Sequence, residues 1–418
     1  GNVVAIGVLA AFILTVTFLP ALMSVLPARA RKQGDIGSRV MARLGNWVVT
    51  HQKRLLWGSL LLAAILVAQV PRNSLNDNFV EYFDSTIKFR QDTDVVDKYL
   101  SGLYRINYSL DAKEPGGVSK PAFLASVQRF EEWLKTRPEV KHVNSITDIF
   151  RRLNKNMHGD DPAYYRLPES RELAAQYLLL YEMSLPYGLD LNNQINVDKS
   201  ATRLSVSLPV MSTNKVLAFE ETAREWMLKN TPDIHSYGSS PTIMFAHIGY
   251  RNIRSMLTGT SIALVLISMI LIFAFRSFKL GLVSLIPNLV PAAVGFGIWG
   301  MTVGEVGLAL SVVTGMTLGI VVDDTVHFMS KYLRARREQG LSAEDAIRYA
   351  FRSVGWALFV TSVVLVAGFL ILTLSHFKLN SQMGLLTAVI IAIALIADFF
   401  LLPPLLMAVD KDQPKENT

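Results

Sequence analysis

The sequence predicts a polytopic α-helical membrane protein that carries one large extracytoplasmic α+β domain. Three observations lead there. Apolar residues make up 51% of 418 residues and charged ones only 18%, against about 25% charged in an ordinary soluble chain. The apolar residues fall in long unbroken runs, and a single polar stretch of soluble composition interrupts them. This composition excludes disordered and fibrous chains. With no cysteine, disulfides, thiolate metal sites and a cysteine nucleophile are excluded too.

The apolar runs cover 3–26, 55–70, 256–275, 280–301, 306–329, 354–374 and 383–409. Each is near or above the roughly 17–25 residues a membrane helix needs, the second once its flanks are added. The first run has no basic segment before it and exceeds the usual length of a signal peptide's apolar core. It therefore reads as a span, with Gly1 a cut end inside a longer chain.

Charge sets the expected orientation. The polar insert, residues 72–251, holds 22 basic and 23 acidic residues. Of the 19 remaining cations, 17 fall on one side when the chain alternates sides at every span, leaving only Arg254 and Lys378 opposite. The positive-inside rule places the 17 in the cytoplasm and the insert outside. The net charge of +7 is thus a topology signal, and no nucleic-acid partner is expected.

Residues 15–22 align with 398–405, matching Leu19 with Leu402, Pro20 with Pro403 and Leu22 with Leu405. A repeated terminal helix implies two tandem halves. The expected organisation is the last helix of a preceding half at 1–26, a cytoplasmic linker at 27–54 and a span at 55–71. The extracytoplasmic domain follows at 72–252, then three spans in 253–330, a cytoplasmic amphipathic helix at 331–353, two spans in 354–409 and a tail at 410–418.

Inside the insert, alternation predicts strands at 105–110, 139–143, 202–209 and 234–237, and helices at 121–135, 168–183 and 213–229. Two strand–helix–strand units predict a split βαβ, ferredoxin-like domain. Tyr164, Tyr165, Tyr177, Leu178, Leu179, Leu180, Tyr181 and Met183 form either its core or the wall of an apolar cleft.

Several local motifs stand out: Phe275-Arg-Ser-Phe-Lys279, Ile286-Pro-Asn-Leu-Val-Pro291, Gly319-Ile-Val-Val-Asp-Asp-Thr-Val-His-Phe328, Thr361-Ser362 with Gly368-Phe369, and the closing 398–405 segment. With the layout, these resemble the resistance–nodulation–division (RND) superfamily, above all its shorter members of the MMPL and hopanoid-exporter kind. The likeness covers the whole chain as a C-terminal half of a tandem-repeat transporter. The five spans from Ile253 onward also look like the sterol-sensing arrangement of that superfamily. The insert, about 180 residues, is shorter than in multidrug pumps that dock to an outer-membrane channel, which weakens the tripartite reading. The resemblance implies a porter-type domain on the periplasmic side of a bacterial inner membrane, and export of a hydrophobic or lipid-like substrate driven by the proton-motive force. The partners it implies are that substrate, membrane lipids and an N-terminal half; a homo-oligomer is left open.

The chemistry is expected at Asp323 and Asp324. Asp323 precedes Lys331, the first cytoplasmic cation, by eight residues, roughly 12 Å at 1.5 Å per helical residue. A charge in the bilayer costs about 2.5–3.5 kcal/mol even on the lenient scale, so two acids there must be protonated, paired or wetted. Carboxyls that can be neutral or charged are what a proton-coupled carrier needs. His327, four residues on and on the same face, and Thr361 and Ser362 in the next span complete the expected proton relay. Asn288 between Pro287 and Pro291 reads as a helix break or packing position ahead of a ligand. Gly315 and Gly319 have small-xxx-small spacing for close helix approach. Asp398 is either a second buried acid or a packing residue, and Glu305 a solvated loop residue. Residues 342–352 open with the capping pattern Ser342-Ala-Glu-Asp and are expected to lie along the membrane surface.

Two other functions use the same residues. One is a lipid sensor or protein-translocation assistant on this scaffold. The other is an intramembrane aspartyl protease, disfavoured because neighbouring side chains on one helix diverge by about 100°. A Walker-type glycine loop is absent from the sequence, so ATP is not the expected driver. Neither enzymatic activity, cofactor nor metal is expected.

Overall fold

A computed structural model describes residues 2–25, 36–186 and 188–410. Among these, seven helices are long and apolar enough to cross a membrane. The first, α1 (Asn2–Val25), has no buried side chain among its described residues. Next come α2 (Ile36–Thr50) and α3 (Gln52–Val67). In the stretch read as a linker over 27–54, the described part is therefore a helix, and 27–35 lies outside the described residues. Gly37, Met41, Gly45, Val48 and Val49 form the buried stripe of α2, the 3–4 spacing of an amphipathic helix.

The chain then enters the domain through β1 (Ser74–Leu75) and α4 (Lys88–Tyr99). It continues with β2 (Tyr104–Asp111), α5 (Pro121–Lys135), β3 (His142–Asn144), α6 (Ile146–Met157), α7 (Arg171–Ser184), β4 (Ala201–Leu208), α8 (Thr213–Asn230) and β5 (Gly238–Ser239). The sheet order is β3-β4-β2-β5, with every neighbouring pair antiparallel. Alternation puts Ile106, Tyr108 and Leu110 of β2 and Leu204, Val206 and Leu208 of β4 in the core, against Leu124, Val127, Phe130 and Leu134 of α5.

Several sequence expectations shift here. The helix expected to open at Pro168 starts at Arg171, because the Ser170 hydroxyl accepts from the Leu173 N–H and caps it. The last strand is not at 234–237: a 3₁₀ turn, Pro232–Ile234, buries Ile234, and pairing begins only at Gly238. Helices α4 and α6 were not anticipated. Tyr177 and Leu178 are buried in the core while Leu179, Leu180 and Met183 are exposed, so α7 is a one-sided core helix.

From the domain the chain descends in α9 (Pro241–Phe275) and returns in α10 (Phe278–Thr302). It pairs β6 (Glu305–Val306) in parallel with β1, and descends again in α11 (Leu308–Glu338). Then follow α12 (Ala343–Ala350), a π-helical turn (Phe351–Gly355), α13 (Trp356–Ile371), α14 (Lys378–Phe400) and α15 (Leu402–Val409). The helix expected over 342–352 forms as α12, with the Ser342 hydroxyl accepting from the Asp345 N–H as its cap, but the helix of the 331–353 segment does not begin at 331. Residues 331–338 complete α11, and α12 packs inward through Ala343, Ala346, Ile347 and Ala350 before running into α13. The tail at 411–418 lies outside the described residues.

Helices α10, α11 and α14 are the most enclosed; α3, α9 and α13 keep large apolar side chains outward, the distribution expected where lipid or further helices replace water. Gly297 lies so close to the Leu66 carbonyl that a Cβ would collide with it, which lets α3 and α10 touch.

The helix ends sort into two sets. At one end Lys279 donates to the Val409 carbonyl (2.7 Å), Arg337 to the Phe275 carbonyl (2.6 Å), and Arg336 pairs with Asp410 (2.9 Å). At the other, Lys378 meets Glu81 (3.2 Å), and the Ser74 N–H donates to the Gly304 carbonyl (2.9 Å). The basic connections thus gather at the end away from the domain.

Candidate functional site

The two adjacent acids of α11 occupy different surroundings. Asp324 is buried, and the Ser362 hydroxyl of α13 donates to its Oδ2 at 3.3 Å. Asp323, one residue earlier and about 100° round the helix, keeps 70% of its side chain exposed and faces His327 at 3.5 Å. Both acids and His327 line a groove of about 940 Å³ between α11 and α13, along with Thr361.

The next residue on α11, Thr325, is fully buried and donates to Oδ1 of Asp398 on α14 at 2.9 Å; Asp398 is itself 1% exposed. Two hydroxyl–carboxyl pairs therefore radiate from consecutive residues of α11, one to α13 and one to α14. Asp398 Oδ2 has no protein partner. A buried carboxyl with an unmet oxygen is costly unless it holds a proton or meets water. Such a group can take up and release a proton.

Of the expected relay, Asp323, Asp324, His327 and Ser362 come together. Thr361 lines the groove, but its hydroxyl donates back to the Ala357 and Leu358 carbonyls rather than to an acid. Asp398, expected as either a second buried acid or a packing residue, is buried and joins α14 to α11. Its partner Thr325 was missed; 73 residues separate them, and a threonine in an apolar helix carries no signal of its own.

The helix break expected at Asn288 is absent. α10 runs unbroken through Pro287 and Pro291, as membrane helices tolerate when neighbours meet the freed carbonyls. Asn288 is instead 1% exposed, with neither side-chain amide atom partnered. Gly315 does serve close packing, since a Cβ there would lie 3.2 Å from Thr260 Oγ1 of α9. Gly319 does not: nothing stands within 4 Å of where its Cβ would be, and it borders the groove. Glu305 is exposed and accepts from the Asn76 amide at 3.1 Å. Among the described residues, no group of three or more His, Cys, Asp or Glu could hold a metal.

A second concavity lies where the domain meets the bundle. Asp77 sits at its edge, accepting from the Tyr82 hydroxyl at 2.5 Å, and its carboxylate approaches the backbone of Gly307 so closely that a Cβ there would lie 2.9 Å from Oδ1. Burial pushes the Asp77 carboxyl above its ordinary value, against the opposing pull of Tyr82 and of the Leu308 and Asn78 N–H groups. Burial first, then nearby Glu81, Asp97 and Asp77, pushes Tyr104 up to about 12.

Residues 192–416, more than half of the chain, match the MMPL family. The chain is a member of that family of polytopic membrane proteins, and membership points to a transporter-like function. Over 148 residues it is also 28% identical to a protein of Methanocaldococcus jannaschii described only as a membrane protein. That stretch covers 35% of this chain and 38% of the relative, so the chain matches well under half of the relative's length.

Proposed function

We propose that this chain is the C-terminal half of a proton-motive-force-driven exporter that moves a hydrophobic or lipid-like substrate out of a bacterial inner membrane, with the α+β domain on the periplasmic side. The observation that carries the proposal is the pair of enclosed acids, Asp324 on Ser362 and Asp398 on Thr325, held between three helices long enough to span the bilayer. Charged groups at such depth are rare outside ion and proton pathways. Asp323 and His327 in the open groove are the entry to that pathway. The sorting of basic helix ends away from the domain supports the orientation, and the strand order β3-β4-β2-β5 supports the ferredoxin-like, porter-type reading of the domain. The exposure of every described α1 side chain favours its belonging to a preceding half.

The lipid-sensor or translocation-assistant reading uses the same scaffold but has no need for two enclosed acids. An aspartyl protease needs two carboxyls sharing a proton; here each is bound by a hydroxyl instead. The test is proton flux in liposomes holding the full-length protein under an imposed pH gradient, with a fluorescent lipid as cargo. Wild-type protein is expected to couple the two fluxes. Lipid movement that ignores the gradient would end the proton-driven reading.

A further inference from the structure

The concavity between domain and bundle encloses about 460 Å³, within the ~300–1,000 Å³ of small-molecule sites. Its walls are mostly apolar and aromatic: Phe79, Leu103, Tyr104, Phe245 and Ile248, with Tyr82 beside Asp77. At 35 residues, α9 is about 52 Å long, well over the ~30 Å hydrocarbon core. Its first turns, with Phe245 and Ile248, therefore stand above the bilayer beside the domain. Phe79 and Phe245 stack with ring centres 6.3 Å apart while staying mostly exposed, at 55% and 60%. They form an apolar lip of the kind that receives a chain arriving from the membrane surface.

The polar chemistry of this cavity is one-sided. Among the described residues its lining holds one carboxylate, Asp77, two phenols and the side chains of Thr213, Thr242 and Asn252, with no Lys, Arg or His. Lys378, in the adjoining cleft, is held by Glu81. A carboxylate or phosphate head seated here would be desolvated beside Asp77 with no counter-charge, an arrangement that interfaces use to reject partners. A head that donates hydrogen bonds would find acceptors in Asp77 and in the hydroxyl oxygens of Tyr82 and Tyr104.

We propose that this cavity binds an amphiphile whose apolar chain lies against Phe79, Tyr104, Phe245 and Ile248 and whose head, a hydrogen-bond donor without negative charge, lies at Asp77. The proposal rests on the exporter reading, because it names the class of cargo, but binding here requires neither a proton gradient nor Asp324.

The test uses the full-length protein in phosphatidylcholine nanodiscs and three photoreactive probes. They share one alkyl chain and carry an alcohol, an ammonium or a carboxylate head, and labelled peptides are located by mass spectrometry. The alcohol and ammonium probes are expected to label peptides containing Phe79, Tyr104 and Phe245. The carboxylate probe is expected to label them at least about tenfold less, given the cost of like-charge contact. Asp77→Asn should narrow that gap, and Thr242→Trp, which puts a large side chain into the cavity from α9, should abolish labelling by all three. Equal labelling by the carboxylate probe, or labelling indifferent to Thr242→Trp, would overturn the proposal. The same experiment on Asp324→Asn separates the two readings: cavity labelling should persist there while proton coupling is lost.

Discussion

Thr325 donates its hydroxyl hydrogen to Asp398 across 2.9 Å, joining α11 to α14 one residue after Asp324. Each enclosed acid thus has its own hydroxyl, and the two bonds share a single turn of α11. Asp324→Asn and Asp398→Asn keep size and let Ser362 and Thr325 go on donating, so folding should survive. Each should cut proton-coupled transport by on the order of 10²-fold or more, the scale of removing a proton-transfer group. Asp323→Asn, on the open face, should cost about tenfold or less. Flux assays on the three variants check the ranking. Normal flux in Asp398→Asn would remove that residue from the pathway.

Cysteine labelling reads the orientation directly, because the chain has no cysteine of its own. Met157→Cys, exposed on the domain, should react in intact cells with a membrane-impermeant reagent. Gln339→Cys, beyond α11 at the basic end, should react only after permeabilisation. The reverse pattern would invert the topology.

Asp410 gives a pH prediction outside the membrane-spanning segments. Burial raises its carboxyl, but the hydrogen bonds from Arg336 and Tyr332 outweigh this and hold it below its usual value. A lowered folded value means the stabilisation is in full force above the unfolded value and fades as pH falls through the folded one. Wild-type protein should therefore lose thermal stability below about pH 4 by a step that Asp410→Asn lacks. At neutral pH the variant should be less stable by roughly 1.5–3 kcal/mol, the range for a hydrogen bond to a charged group. Parallel melts at pH 7 and at acid pH measure both.

Glu131 is completely buried in the domain and holds Arg151, Lys135 and the Thr147 hydroxyl together. Removing Arg151 leaves the buried Glu131 with only the more exposed Lys135 as counter-charge, so Arg151→Ala should destabilise the domain by about 3 kcal/mol. Arg166→Ala breaks an exposed pair with Glu169 and should cost under about 1 kcal/mol. Denaturant unfolding followed by fluorescence of the stacked Trp133 and Trp226 rings would compare them. Equal effects would mean the cluster adds nothing beyond surface pairing.

The spans were legible because some twenty consecutive apolar residues have few other uses. The acids were legible because an aspartate inside such a run is expensive. Partners across helices were not: Thr325 and Asp398 meet only through packing that one sequence does not display. α6 escaped notice because Arg151, Arg152, Lys155 and Asn156 make it read as polar loop, although Ile146, Phe150 and Asn154 line its buried side. The break expected at Asn288 came from reading prolines by soluble rules, where a helix interior rejects them.

The π-helical turn at Phe351–Gly355 joins α12 to α13 with one residue more than an α-helix would use. Its consequence concerns how this chain tolerates changes of length. Deleting one residue within the turn would convert it to ordinary helix and leave the flanks in phase, with Ser362 still facing Asp324. The same deletion between Trp356 and Thr361 would swing Ser362 about 100° round the axis and break the contact. The turn is a slack link, and the span beyond it has none to spare.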